Sequence, residues 1–294
     1  MRACFLALIS IALSCLCACT EKPQPQPEPE ASTYARLVTL APSLTELVFA
    51  AGAGDTLVGV SAFSNYPADA EELPIIGDAF VVDQEQLAVL QPDLLLVWQS
   101  GTPAHVVDEL RGVGYNVEVI RTRTLADVAS ALRRIGELTG YTSEANEAAT
   151  NFQNGMRSIE ARYARTEDMR VFYQVDRRPL YTINGEHYVS ELIALCGGNN
   201  VFDDLNALAP AVDVEAVVER DPEVMLASTD AGADAFGEWD RWSHVAANRY
   251  QNRFLMPADE IGRATPRLLV AAQAVCEALQ EARKRRALAL ANEE

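Results

Sequence analysis

The segment VDQEQLAVLQPDLLLV at residues 82–97 returns as VDVEAVVERDPEVMLA at residues 212–227, a constant offset of 130 residues. Each copy reads as an acid-capped helix, a proline stop and an apolar strand. Asp83 and Asp213 stand as helix N-caps, with Glu85 and Glu215 in the first turn, where unpaired amides favour a carboxylate. Pro92 and Pro222 end the two helices, because the residue before a proline is pushed out of the helical region. A looser echo pairs Thr45-Glu46-Leu47 and Gly52 with Ser190-Glu191-Leu192 and Gly197, a helix closed by glycine. Two echoes in the same order imply two similar lobes.

Around these repeats, short apolar runs alternate with amphipathic stretches such as Ala104–Val113. Leu37–Leu40, Leu57–Val60, Leu94–Trp98 and Val117–Ile120 form one series of strands. Val171–Val175, Val224–Ala227 and Phe254–Met256 form a second. Strands alternating with helices predict parallel α/β sheets. Between the series, Ser143–Ala164 is rich in Ala, Glu and Arg and predicts one helix of about six turns, roughly 33 Å long. The expected fold class is therefore α/β, with two similar parallel-sheet lobes joined by a single long backbone helix. The expected divisions are a signal peptide at 1–18, a tether at 19–34, lobes at 35–141 and 166–294, and the connecting helix at 142–165.

The N-terminus reads as an address. Arg2 precedes an apolar run from Phe5 to Leu16, too short for a membrane span, and Leu16-Cys17-Ala18-Cys19 resembles a bacterial lipobox. Cys15 is a rival lipidation site. Cys19 is favoured because PQPQPEPE at 23–30 is a semi-extended tether that cannot pack a core. The chain is thus expected outside the cytoplasm, held to a membrane by its N-terminal lipid, with inner and outer membrane both open. Cleavage before Cys19 leaves Cys196 and Cys276 as the remaining pair. In an oxidising compartment such a pair is more often bridged than free, with two separate buried thiols as the alternative.

The formal net charge of −18 repels phosphate backbones and excludes a nucleic-acid partner. An enzyme has little support: G-x-S-x-G, H-E-x-x-H and phosphate-loop patterns are absent, and AGAGDTLVG at 51–59 misses the dinucleotide spacing. His105, His187 and His244 are scattered along the chain, so no metal site is expected.

The runs RLVTLAPSLTELVFAAGAGDTLVGVSAFSNYP, LQPDLLLVW, ALCGGNNVF and GRATPRLLVAAQAVCEAL carry a resemblance from Arg36 to Leu279. They resemble the periplasmic vitamin B12-binding proteins of ABC importers, in the helical-backbone class that also holds siderophore and haem binders. The resemblance implies a ligand cleft between the lobes and docking to a dimeric permease by one acidic residue per lobe, Glu85 and Glu215. It implies a Cys196–Cys276 disulfide. It places Phe63, Trp98 and Tyr181 against the ligand, and Asp259 and Arg263, just before the ATPR segment, read as a polar rim. Ala79 and Ala209 stand where the family has tryptophans, with Phe80 beside one gap. The implied ligand is a corrinoid, cobalamin or its base-free precursor cobinamide, with no resident cofactor, and the chain is expected to act as a monomer.

The chemistry is consistent with these positions. A broad amphipathic macrocycle needs flat aromatic walls, a part suited to Phe63, Tyr66, Trp98 and Tyr181. Trp98 is best placed, at the C-terminal end of a strand, where open α/β sheets put ligands. Arg267 reads as a helix-start salt bridge. An iron siderophore or haem is the rival ligand, kept open by Arg121, Arg123, Arg177, Arg178 and Arg263. A metal-cluster reductase on a similar frame or an adhesion lipoprotein are the remaining rivals.

Overall fold

Runs of four or five consecutive apolar residues suit strands covered on both faces, and they become the inner strands of two parallel sheets. The computed structural model describes residues 33–163 and 167–292. The signal peptide, most of the tether and the Cys19 assignment lie outside those residues. In the first half, β1 (Leu37–Thr39), α1 (Pro42–Ala50), β2 (Leu57–Gly59), α2 (Gln84–Leu90) and β3 (Leu94–Trp98) are followed by α3 (Ala104–Gly112), β4 (Val117–Ile120) and α4 (Leu125–Thr139). The connecting helix is α5 (Thr142–Tyr163). Beyond it come β5 (Met169–Gln174), β6 (Asp176–Arg177), β7 (Leu180–Tyr181), α6 (Tyr188–Leu195), β8 (Gly198–Asn200), α7 (Val214–Arg220) and β9 (Val224–Ser228). The chain closes with α8 (Ala246–Arg249), β10 (Arg253–Met256), α9 (Ala258–Gly262) and α10 (Leu268–Ala291).

The sheets run β2-β1-β3-β4 and β8-β5-β9-β10, the same order in each lobe once β1 is matched with β5. All these pairs are parallel, and β3 registers on β4 from Leu95↔Val117 to Trp98↔Ile120. The repeat carries further detail. Both α2 and α7 end on a left-handed residue, Gln91 (φ 47°) and Asp221 (φ 43°), just before the proline. Those ends are closed alike: Arg36 Nε donates to Gln91 O at 3.2 Å and Arg170 Nε to Asp221 O at 2.9 Å. The caps differ, since Asp83 accepts from Gln86 N at 2.9 Å whereas Asp213 holds the N-cap position with no side-chain capping bond among the described residues. Gly52 (φ 82°) and Gly197 (φ 74°) supply the left-handed turn after α1 and α6 that a side chain would resist.

Two features lack an apolar run. The β8 strand is GNN, held by Asn200 Nδ2 donating to Ile183 O and Ser190 Oγ, both at 2.9 Å. The small hairpin β6–β7 is antiparallel and pairs Asp176 with Tyr181.

One continuous buried cluster joins Leu37 of β1, Phe152 and Met156 of α5, and Cys276 and Leu279 of α10. The core therefore crosses from lobe to lobe beneath the connecting helix. Cys196, at the end of α6, is bonded to Cys276 in α10 with Cα atoms 4.8 Å apart, and both residues are fully buried. Among the described residues, no helix is long and apolar enough to cross a membrane.

Candidate ligand cleft

The loop after β2 is shaped by buried hydroxyls. Thr45 Oγ1 lies 2.7 Å from Thr39 Oγ1 and 2.9 Å from Ser64 Oγ, and Ser61 Oγ lies 3.3 Å from Ser64 Oγ. This chain pins residues 61–64 and holds Phe63 at φ 66°, a conformation non-glycine residues rarely adopt. The Phe63 ring is 79% exposed as a result.

The second lobe meets that loop through the segment between α9 and α10. Arg263 donates to Phe63 O at 3.2 Å, to Asn65 Oδ1 at 2.6 Å and to Glu46 Oε1 at 2.8 Å, and it pairs with Asp259 Oδ1 at 2.9 Å. Asn65 Nδ2 donates to Asp259 Oδ2 at 3.1 Å. Phe63, Asp259 and Arg263 are thus brought together across the seam. Arg267 pairs with Glu46 and Glu260, as a helix-start salt bridge, and its guanidinium lies 4.3 Å from the centre of the Tyr66 ring. Tyr66 is therefore engaged by a cation–π contact rather than standing as a bare wall. Together with Glu46, Phe49, Pro266 and Val270 it lines a seam groove of 480 Å³.

Trp98 is the last residue of β3, at the C-terminal edge as expected. The chain turns back at once, with Thr102 N donating to Trp98 O at 2.8 Å. That turn lays Gly101 against the indole, where a Cβ would sit 2.1 Å from Trp98 Cε3. The half-buried indole lines a 250 Å³ depression with Thr102, Val107, Asp108 and Arg111, and its buried Nε1 has no hydrogen-bond partner among the described residues. Phe80 is exposed at the tip of a turn in which Asp78 Oδ1 accepts from Phe80 N and Val81 N, both at 2.8 Å. The Val81 amide, then that of Phe80, holds the Asp78 carboxyl below its usual range. Tyr181 of β7 bridges to Ala211, next to Ala209. Among the described residues, no hydrogen bond or ring contact joins Trp98, Phe80 or Tyr181 to the Arg263 group.

Glu85 and Glu215 are exposed in the first turns of α2 and α7, and two residues on Leu87 and Val217 are fully buried. The buried anchor turns each carboxylate to solvent. Among the described residues, no group of three or more His, Cys, Asp or Glu is placed to hold a metal ion. His187 caps α6, its Nδ1 accepting from Val189 N at 3.2 Å. Burial and then the Arg123 charge push its pKa down to about 4.

A family model described as periplasmic binding protein matches residues 37–260, most of the described chain. The chain belongs to this family. This binding protein is 35% identical over 252 residues to the vitamin B12-binding protein of Vibrio parahaemolyticus, covering 85% of the chain and 91% of the relative. The crystal structure of the periplasmic vitamin B12-binding protein BtuF of Vibrio cholerae superposes with a TM-score of 0.78 at 33% identity, covering 85% of this chain and 98% of that one. The periplasmic haem-binding protein HutB of Vibrio cholerae shares the fold, with a TM-score of 0.66 at 22% identity over 86% of this chain and 98% of that one.

Sequence reasoning missed the roles of Glu46, Asn65 and Thr265 at this binding protein's seam, and that of Gly101 against Trp98. Glu46 carried a signal, being an acid inside the apolar run LTELVF, on a helix face that had to be buried. Its side chain is 2% exposed, and Thr265 Oγ1 donates to its Oε2 at 2.8 Å. Glu191, its counterpart in the second echo, accepts from Leu125 N at 2.7 Å at the start of α4. Burial raises the Glu191 pKa against that bond.

Proposed function

We propose that this chain is an extracytoplasmic substrate-binding lipoprotein that delivers a corrinoid to an ABC import permease. Its lobes are residues 35–141 and 166–294, joined by 142–165, and its lipid is on Cys19. The ligand sits between the lobes at the C-terminal sheet edges, against Trp98, Phe63 and Tyr181, with Tyr66, Phe80, Asp259 and Arg263 at the rim. Glu85 and Glu215 present matched contacts to the two permease halves. Relatives named for vitamin B12 binding, similar over most of the chain, support this ligand class.

The observation that carries the choice of ligand is the state of the arginines. Recognition of an anionic chelate needs cations free to meet carboxylates or catecholates. Arg121 pairs with Asp127, Arg123 with Glu186, Arg177 with Asp234, Arg178 with Glu238, and Arg263 with Glu46 and Asp259. A ring fringed with neutral amides needs no such charge, whereas haem propionates or a ferric siderophore meeting any of these five arginines would have to displace a carboxylate first.

Titration of the purified protein with cobalamin, cobinamide, haem and a ferric catecholate, read by quenching of its three tryptophans, tests the proposal. Micromolar or tighter binding of a corrinoid is expected. Binding of haem or the siderophore alone overturns the ligand assignment and leaves the family. Cys19→Ala is expected to move the protein from the membrane to the soluble fraction, and unchanged fractionation removes the anchor.

A further inference from the structure

Glu46 is buried on α1 of the first lobe, yet among the described residues its side-chain hydrogen-bond partners all come from the second. Oε1 accepts from Arg263 at 2.8 Å and from Arg267 at 3.0 Å, and Oε2 from Thr265 at 2.8 Å. The arginine side chains are 12% and 20% exposed, so this cluster lies in a poorly solvated seam where charge is weakly screened. Two guanidinium charges face three carboxylates, those of Glu46, Asp259 and Glu260. The local balance is one negative charge, and Glu46 is the member shared by both arginines. It also lines the 480 Å³ groove with Tyr66 and Arg267, and one bond away Arg263 holds Phe63 O.

We infer that Glu46 is a specificity-determining and positioning residue: it consumes the positive charge of Arg263 and Arg267, so that the cleft accepts a neutral, amide-fringed ring and refuses anionic chelates. The inference rests on the proposed cleft between the lobes and deepens it. Glu46 exerts two effects. Geometrically, it fixes Arg263 at the rim, where the guanidinium supports the Phe63 loop. Electrostatically, it removes the cationic pair that carboxylates would seek, as a built-in repulsive element against the wrong ligand. Its conservative amide keeps the shape and removes the charge, which leaves both arginines with donors to spare.

The experiment compares wild type, Glu46→Gln and Glu46→Gln/Arg267→Gln in the full mature chain, titrated with cobinamide and, separately, with haem as a dicarboxylate probe. Glu46→Gln is expected to gain about tenfold or more in haem affinity and to lose affinity for cobinamide. The double variant, which restores the charge balance, is expected to return the haem affinity to near the wild-type value. Equal losses for both probes in Glu46→Gln would make the residue merely structural and overturn the inference, as would a double variant that keeps the gain for haem. If Glu46→Gln fails to fold, the charge-balanced double variant and Arg267→Gln alone decide the matter. The first must fold with wild-type selectivity and the second must disfavour haem further, and failure of either outcome refutes the charge argument. Should wild type bind no corrinoid, the ligand assignment fails by itself, while the change in haem affinity between the variants still reads the role of Glu46.

Discussion

Opening the Cys196–Cys276 bond frees a loop of 80 residues in the unfolded chain while leaving every native atom close to its place. In the chain-entropy account, a loop of that length makes the bond worth about 4.5 kcal/mol at 25 °C. The buried cluster runs through both lobes and the connecting helix, so the described fold is expected to unfold as one unit. For a unit of this size the loss lowers the melting temperature by about 8 °C. Equilibrium urea unfolding with and without a thiol reductant measures the difference. Because the cross-link acts on the unfolded ensemble, its removal should also raise the urea m-value, as more surface is exposed. The pair Cys196→Ala/Cys276→Ala deletes two fully buried sulfurs as well and should cost about 1 kcal/mol more than reduction. A loss on reduction below about 1 kcal/mol, or a full loss with an unchanged m-value, would refute the assignment of the stabilisation to the unfolded chain.

Reversal of both carboxylates proposed for docking, Glu85→Lys with Glu215→Lys, should abolish uptake in cells while ligand affinity stays within about twofold, since like charges facing each other at an interface cost several kcal/mol. A fall in affinity as deep as the fall in uptake would put these residues in the cleft. Trp98→Ala should weaken corrinoid binding about thirtyfold, near 2 kcal/mol. Gly101→Ala, whose Cβ falls 2.1 Å from Trp98 Cε3, should displace the ring, cost about 1–3 kcal/mol of stability and weaken binding in parallel. Unchanged affinity in both variants would remove Trp98 from the site. His187 has a folded pKa of about 4 against an ordinary 6.5, so below pH 6.5 the unfolded chain takes up a proton that the folded chain refuses. Stability should therefore fall by up to about 3 kcal/mol as pH drops from 6.5 to 4. His187→Asn, which keeps an N-cap acceptor, should flatten that part of the profile, and a profile identical to wild type would refute the account.

The parts of the fold legible in the sequence were those written in local, periodic form. LLLVW and VMLA are strands because continuous apolar runs suit a sheet covered on both faces, and their shared Asp, Glu and Pro offsets placed the exposed glutamates two residues before Leu87 and Val217. The GNN strand escaped because its pairing is secured by the Asn200 amide and not by burial of apolar side chains. Much of the seam escaped for another reason. The Glu46 bonds to Arg263 and Arg267 span 217 and 221 residues, so no window of sequence contains both partners. The Gly101 contact is short in sequence, yet a lone glycine after Trp98 reads equally as an ordinary turn.

The two echoes also carry an asymmetry that bears on how the lobes move. Glu46 and Glu191 occupy matching places and both cross the seam, but Glu46 meets two arginines and a threonine whereas Glu191 meets one backbone amide. Breaking a buried, hydrogen-bonded ion pair by removing one partner costs about 3–5 kcal/mol, several times the net worth of a single neutral hydrogen bond. The α4–α6 edge also carries the Arg123–Glu186 pair, but that pair is exposed and worth at most about 1 kcal/mol. The seam is therefore stiffer along the edge formed by Phe63, Asn65 and Asp259 than along the edge formed by α4 and α6. With the core continuous under α5, the expected low-cost motion is a small rocking that opens the α4–α6 edge about the Glu46 side. On the proposed cleft, a ligand that enters between the lobes is expected to work against the weaker ties at Leu125 and Glu186 and to leave the charged one at Glu46 in place.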